Sequence, residues 1–254
     1  MLRIAMLHSV LLTNAETWLR LSSKDLRNLE RVDEMLLRKL FETPISTPGA
    51  ALYLETGTIP LKFILRYRRI MFLHHILTRD KGALISQVFW AQVNKPAPGD
   101  WCTVVQEDME ALEIGDMSFQ ELEAMSQDSL KNLMKKVIRN AAFKELIDRK
   151  NSLSKIASKH YESLAIQQYL RSPSTSNRHK KVQFRWRTRM TKVGWNFGNK
   201  GKCPLCKDAD DTQDHLLSCN YLVDSGHDAP TGFIERVEIA TRKRERILEA
   251  LEVQ

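Results

Sequence analysis

Near its C-terminal end the chain reads CPLCKDADDTQDHLLSC, residues 203–219. Three of its four cysteines fall there, with a histidine between the second and third. The spacing is Cys203-x2-Cys206-x8-His215-x3-Cys219. Two cysteines separated by two residues can turn both sulfurs toward one ion, and Pro204 stiffens that turn. Thr212 is placed to cap a short helix, on which His215 and Cys219, four apart, share a face. Four soft or borderline ligands with no open position make the arrangement of a structural tetrahedral Zn²⁺ site. Such an ion supplies local folding energy. A catalytic zinc would keep a position for water, so no catalytic residue is assigned. The competing reading is a set of unpaired, buried or redox cysteines. Asp208, Asp210, Asp211 and Asp214 make the loop acidic and a poor phosphate binder. Cys102, far away in sequence, reads as a small buried hydrophobe.

The rest of the chain is long enough to bury a core, with 254 residues of which 43% are hydrophobic. Three clustered cysteines in a chain this long do not form a disulfide framework and point to a reducing compartment. A net charge of +8 and a pI near 9.3 favour polyanions, nucleic acid before an acidic membrane surface. No apolar run reaches the ~18 residues of a membrane span. MLRIAMLHSVLL weakly resembles a signal peptide, but His8 and Ser9 interrupt it. It is read as a buried segment of a fold whose upstream half is missing, and the protein as not secreted.

The expected fold is mainly α, with helical N-terminal and middle regions, a small C-terminal CCHC zinc module and a terminal helix. A helix over about 23–41 follows Ser22 and Ser23, both good caps. Leu26, Leu29, Val32, Leu36 and Leu40 recur on it at helical spacing, and Pro44 and Pro48 end it. A second helix starts near Pro60 and runs to about Thr78, with Ile64, Leu65, Ile70, Met71, Leu73 and Leu77 as core residues. His74 and His75 are adjacent, about 100° apart on that helix, and so are poor co-ligands. NKPAPGD, 94–100, is a linker.

Nine acids and no Lys or Arg then occupy 100–128, where Ser118 and Glu121 form a capping box. Nine cations against Glu145 and Asp148 occupy 131–159, with Leu130, Leu133, Met134, Val137, Ile138 and Ala141 as an apolar face. These blocks read as solvated helix faces able to pair with each other. RSPSTSN, 171–177, and VDSGHDAPTG, 223–232, are further linkers, and a last helix covers about 233–251. The chain divides into 1–93, 94–172, 173–222 and 223–254. No internal repeat or low-complexity tract is present.

Residues 178–202, RHKKVQFRWRTRMTKVGWNFGNKGK, carry nine cations and no acid, interleaved with Phe184, Trp186, Trp195 and Phe197. Cations bind phosphates, and aromatic rings and Arg planes stack on unpaired bases. Lys180, Lys181, Arg185, Trp186, Arg187, Arg189, Lys192 and Trp195 are the candidate nucleic-acid contacts. An extended segment would put Arg185, Arg187 and Arg189 on one side. The structural alternative is a helix whose Phe184, Trp186 and Met190 face the core.

FRWRTRMTKVGWNFGNKGKCPLCKDADDTQDHLLSC resembles the tail of reverse transcriptases encoded by non-LTR retrotransposons. Those proteins carry Phe-x-x-Arg-x-Arg-Met-Thr, a basic spacer, CPLC, and an acidic loop ending in Gln-Asp/Glu-His-Leu-Leu and Cys. SVLLTNAETWLRLSSKDLRNLERVDEMLLRKLF resembles the end of the polymerase domain and its thumb, with Glu16-Thr17-Trp18. LETGTIPLKFILRYRRIMFLHHILTRD resembles the helical segment that follows, so 1–93 is thumb-like. By itself the Glu16-Thr17-Trp18 stretch reads as a polar helix start with one packed Trp. Thr13 departs from the family, where an aromatic or small residue is commoner.

The polymerase of that family needs carboxylates holding two Mg²⁺ ions, including Phe/Tyr-x-Asp-Asp. Here the only Asp-Asp pair, Asp210-Asp211, lies in the zinc loop. The palm and fingers would precede Met1, and the 35 residues after Cys219 are too few for the nuclease some members carry. The chain is therefore expected to be a C-terminal piece of a retroelement protein: a degenerate copy, a domesticated protein or a late-starting gene model. The resemblance implies a non-catalytic grip on template RNA or target DNA in target-primed reverse transcription, in the nucleus. Two alternatives stay open: an RNA-directed DNA polymerase component active only with a palm from another chain, and a protein-interaction scaffold using the acidic block.

Overall fold

The computed structural model describes residues 8–153, 156–198, 201–222 and 232–252. Most of the signal-like segment, most of VDSGHDAPTG, and Lys155 and Lys200 of the basic blocks lie outside the described residues, as does the side chain of Phe197. The fold is mainly helical, and the described residues contain no strand, only an isolated antiparallel bridge between Lys202 and Asp210. The helices are α1 Ser9–Leu11, α2 Ser23–Phe41, α3 Gly49–Thr56, α4 Leu61–Leu77, α5 Leu84–Asn94, α6 Trp101–Ala111, α7 Phe119–Ala124, α8 Gln127–Asn151, α9 Gln168–Arg171, α10 Asn177–Arg187 and α11 Phe233–Glu252. No helix among the described residues is long and apolar enough to cross a membrane.

Local chemistry sets the helix ends. The Ser22 hydroxyl accepts the Asp25 N–H at 3.1 Å and opens α2. Ser118 and Glu121 make the reciprocal capping box of α7. Asp100, the last residue of NKPAPGD, accepts the Thr103 N–H at 2.8 Å and opens α6. Pro60 stands at the cap of α4, one position before the first turn expected from the sequence. The face of α2 also differs from the periodic stripe. Leu37 and Phe41 are buried, whereas Val32, Leu36 and Leu40 are exposed.

The chain forms two compact units. Unit 1 comprises 1–34, 58–147 and 162–164; unit 2 comprises 35–57, 148–161 and 165–254. Unit 1 is organised by α4. Its Leu61 and Leu65 form a cluster with Leu12 and Ala15, on which Trp18, Leu21, Leu26, Leu29 and Ile64 pack. Ala15–Thr17 is a 3₁₀ turn, and the Glu16 carbonyl accepts the Trp101 indole N–H at 2.8 Å. Arg69 Nε meets Asp108 Oδ2 at 2.5 Å with both side chains 8% exposed, so α4 and α6 share a buried ion pair. His74 is buried with its Nε2 2.9 Å from the Met125 carbonyl, while His75 faces solvent. Cys102 is buried, and that burial, with the Asp100 charge, pushes its thiol up. On α8 the buried line is Leu130, Met134, Ile138, Ala142 and Leu146, while Leu133, Val137 and Ala141 flank it half-buried. Lys144 pairs with Glu113 at 2.7 Å, joining the basic and acidic blocks at the surface.

Unit 2 contains α3, α9, α10, α11 and the cysteine-rich loop. All eight residues of α3 are buried, so it has no polar face and gives no amphipathic signal. Gly57 ends it at φ +62. A Cβ there would lie 2.2 Å from the Ile166 nitrogen, so both the conformation and the close approach need glycine. Phe41 stacks on Phe184 of α10, with centroids 3.8 Å apart and planes 7° apart.

Candidate metal centre and its basic helix

The loop before the metal ligands folds back on itself. Gly201 O accepts the Asp211 N–H at 3.0 Å, and Ala209 O accepts the Cys203 N–H at 2.7 Å. Cys203 O in turn accepts the Lys207 N–H at 2.9 Å, a turn that puts Lys207 at φ +61. This brings Cys203 and Cys206 to one side. The Thr212 hydroxyl accepts the His215 N–H at 3.2 Å and starts the 3₁₀ turn His215–Leu217. The Cys219 N–H then reaches His215 O at 2.9 Å, one helical step on.

The four ligand atoms of Cys203, Cys206, His215 and Cys219 all lie within 4.8 Å of one another, a cluster able to hold a metal ion. Cys203 Sγ and Cys219 Sγ are 3.9 Å apart, and Cys206 Sγ is 3.2 Å from His215 Nε2. A disulfide needs about 2.05 Å, so the thiols are free. The backbone N–H groups of Ala209 and Asp208 aim at Cys206 and pull its thiol down to about 7. Burial pushes the Cys219 thiol up to about 11.

Cys203, Leu205, Leu216, Cys219 and Leu222 form one apolar cluster with Val182 of α10, Val193, and Val237 and Ala240 of α11. Trp186, Ile234, Ile247 and Leu248 pack against it. Buried polar groups tie the same parts together. Asp211 Oδ2 accepts from Arg244 of α11 at 2.5 Å and from the Gly194 N–H at 2.6 Å. Gln213 accepts the Thr191 hydroxyl at 2.7 Å and donates to the Trp186 carbonyl at 3.1 Å. The loop acids are largely engaged: Asp210 pairs with Lys202 at 3.1 Å, and Asp214 with Arg189.

The basic stretch is helical as far as Arg187, capped by Ser176, whose hydroxyl accepts the His179 N–H at 3.2 Å. This overturns the extended arrangement of Arg185, Arg187 and Arg189. Arg185 and Arg187 lie about 200° apart around the helix, Arg189 lies beyond its end at φ +60, and each of the three meets a different carboxylate. Arg185 is buried against Glu42 at 3.2 Å, Arg187 donates to both oxygens of Glu55 at 2.8 and 2.9 Å, and Arg189 pairs with Asp214. Phe184 and Met190 are buried and Trp186 is partly buried, the arrangement of the helical alternative. Lys181 meets Glu42 at 2.6 Å, and Lys192 meets Glu245 at 3.1 Å. Lys180 is half-buried, and Trp195 is 36% exposed with its backbone N–H on the Asp211 carbonyl at 3.2 Å.

Two carboxylates escaped the sequence reading. Glu55 is fully buried, and the Tyr161 and Tyr169 hydroxyls donate to it at 2.7 and 2.8 Å beside Arg187. Burial and the Glu55 charge push both phenols up. The available signal was a lone acid in the apolar run GAALYLET, because a buried charge requires a partner. Glu42 carries no such signal, being one more acid at a helix end. Comparison with protein-family models, with curated proteins and with solved structures finds no match to this chain.

Proposed function

We propose that this chain is a zinc-stabilised, non-catalytic nucleic-acid-binding region of a non-LTR retroelement reverse transcriptase, gripping template RNA or target DNA in the nucleus. The observation that carries the proposal is the Cys203–Cys206–His215–Cys219 cluster, which shares one apolar core with the basic helix α10. Three thiolates and an imidazole suit Zn²⁺ better than a hard cation. Zn–S bonds of about 2.3 Å put tetrahedral sulfurs about 3.8 Å apart, against 3.9 Å for Cys203 and Cys219. Zinc supplies the folding constraint, and all four ligand positions are filled by the chain. Lys180 and Lys181 of α10 and Lys192, which reach solvent, then provide phosphate contacts, and Trp195 provides an exposed ring for stacking.

Fluorescence anisotropy of a labelled structured RNA, titrated with salt in the zinc-loaded and chelated states, tests this reading. Tight binding that weakens steeply with salt and is lost on chelation is expected. Equal binding in the two states, or none at low salt, contradicts it.

A further inference from the structure

Glu42 occupies an unusual position for its residue type. It follows the last residue of α2 at φ +52, a conformation that favours glycine and strains other side chains. The turn delivers its carboxylate to three cations: Lys181 Nζ at 2.6 Å, Arg185 Nη1 at 3.2 Å and Lys192 Nζ at 3.8 Å. With Asn177, Arg178 and Glu245 these residues line a hollow of about 280 Å³. Pockets for drug-sized ligands begin near 300 Å³, so the hollow suits a small group such as one phosphate. Four cations face two carboxylates there.

The hollow has the elements of an oxyanion seat. Arg178, Lys181 and Arg185 recur along one face of α10. Arg185 is buried at 6% side-chain exposure and forms a fixed base, while Lys181 and Lys192 are 33% and 37% exposed and reachable from solvent. Glu42 is itself 46% exposed and can swing outward without opening the core. A carboxylate and a phosphodiester each present one negative charge on two oxygens, so one can replace the other on the same donors. The Lys181 hydrogen bond holds the Glu42 carboxyl below its ordinary range, so it is ionised at neutral pH.

We infer that this hollow seats a backbone phosphate of bound nucleic acid, and that Glu42 is its built-in surrogate, displaced when the phosphate enters. This rests on the nucleic-acid reading above and adds to it a named contact and an intramolecular competitor. Glu42 also keeps the three cations gathered when no nucleic acid is bound, which pre-forms the seat.

The test compares a labelled single-stranded RNA on the zinc-loaded full chain and on its Glu42→Gln, Lys181→Ala and double variants, with circular dichroism to confirm folding. Removing one competing charge at ion-pair distance near water should tighten binding about fivefold. Lys181→Ala should weaken binding and reduce the salt slope by about 0.7. In the double variant the Glu42→Gln gain should shrink or vanish, because both act on one seat. If Lys181→Ala does not fold, Lys192→Gln takes its place with the same expectation. Salt-sensitive binding of equal strength by wild type and Glu42→Gln overturns the seat and leaves the nucleic-acid reading standing. Absence of RNA binding by both at low salt overturns the two together.

Discussion

The two units are held by different chemistry. Unit 1 is built around one helix, α4, whose Leu61, Leu65, Ile70 and Leu73 are almost wholly buried. Its principal buried charge pair is Arg69–Asp108. Unit 2 instead gathers three thiols and an imidazole, and three carboxylates, Glu42, Glu55 and Asp211, that each hold an arginine. Apolar packing needs only the chain. A Cys₃His cluster without a metal places several polar ligands in or beside an apolar cluster with little to satisfy them. Unit 1 should therefore be metal-indifferent and unit 2 metal-dependent.

The largest effect should come from the ligands. Cys219→Ala removes a fully buried sulfur, and structural zinc contributes about 10–16 kcal/mol in isolated zinc-finger peptides. It should abolish zinc retention and expose α11 to limited proteolysis while leaving fragments of unit 1 protected; protection throughout would break the contrast. Leu65→Ala should cost about 3 kcal/mol by cavity formation, seen as an earlier thermal transition with zinc content unchanged. Glu55→Gln leaves Arg187 and two phenols around a neutral amide, and should cost about 2–3 kcal/mol. That loss should appear in the transition that also responds to chelation; a shift of a zinc-indifferent transition would place Glu55 with the wrong set. The smallest effect should be Ser118→Ala, which removes a capping box worth about 1 kcal/mol and should speed hydrogen exchange only around α7.

The two units were also unequally legible in the sequence. The metal set could be read because ligand chemistry resides in residue identity and the spacing of four residues. α4 could be read from Pro60 and the apolar residues that follow it, and α8 from an apolar face recurring at helical spacing. α3 could not, since a helix buried on every side has no polar face to set a period. On α2 the helix was legible but its buried face was not: Leu36 and Leu40 fit the stripe yet lie exposed, and Leu37 and Phe41 pack inward. The alternation of Arg185, Arg187 and Arg189 would put the three on one side of an extended segment, with a helix as the alternative. The Ser176 cap and burial of Phe184 favoured a helix, and the carboxylates that take those arginines lie as far as 143 residues away in the chain. No local pattern announces a partner at that distance.

Zinc content by native mass spectrometry, combined with hydrogen exchange before and after chelation, tests the division most directly. One zinc per chain is predicted, with protection lost on chelation across 182–193, 203–222 and 234–248 and retained across 61–77 and 130–146. A folded chain that carries no zinc, or protection lost equally from both units, would contradict the metal-held core of unit 2.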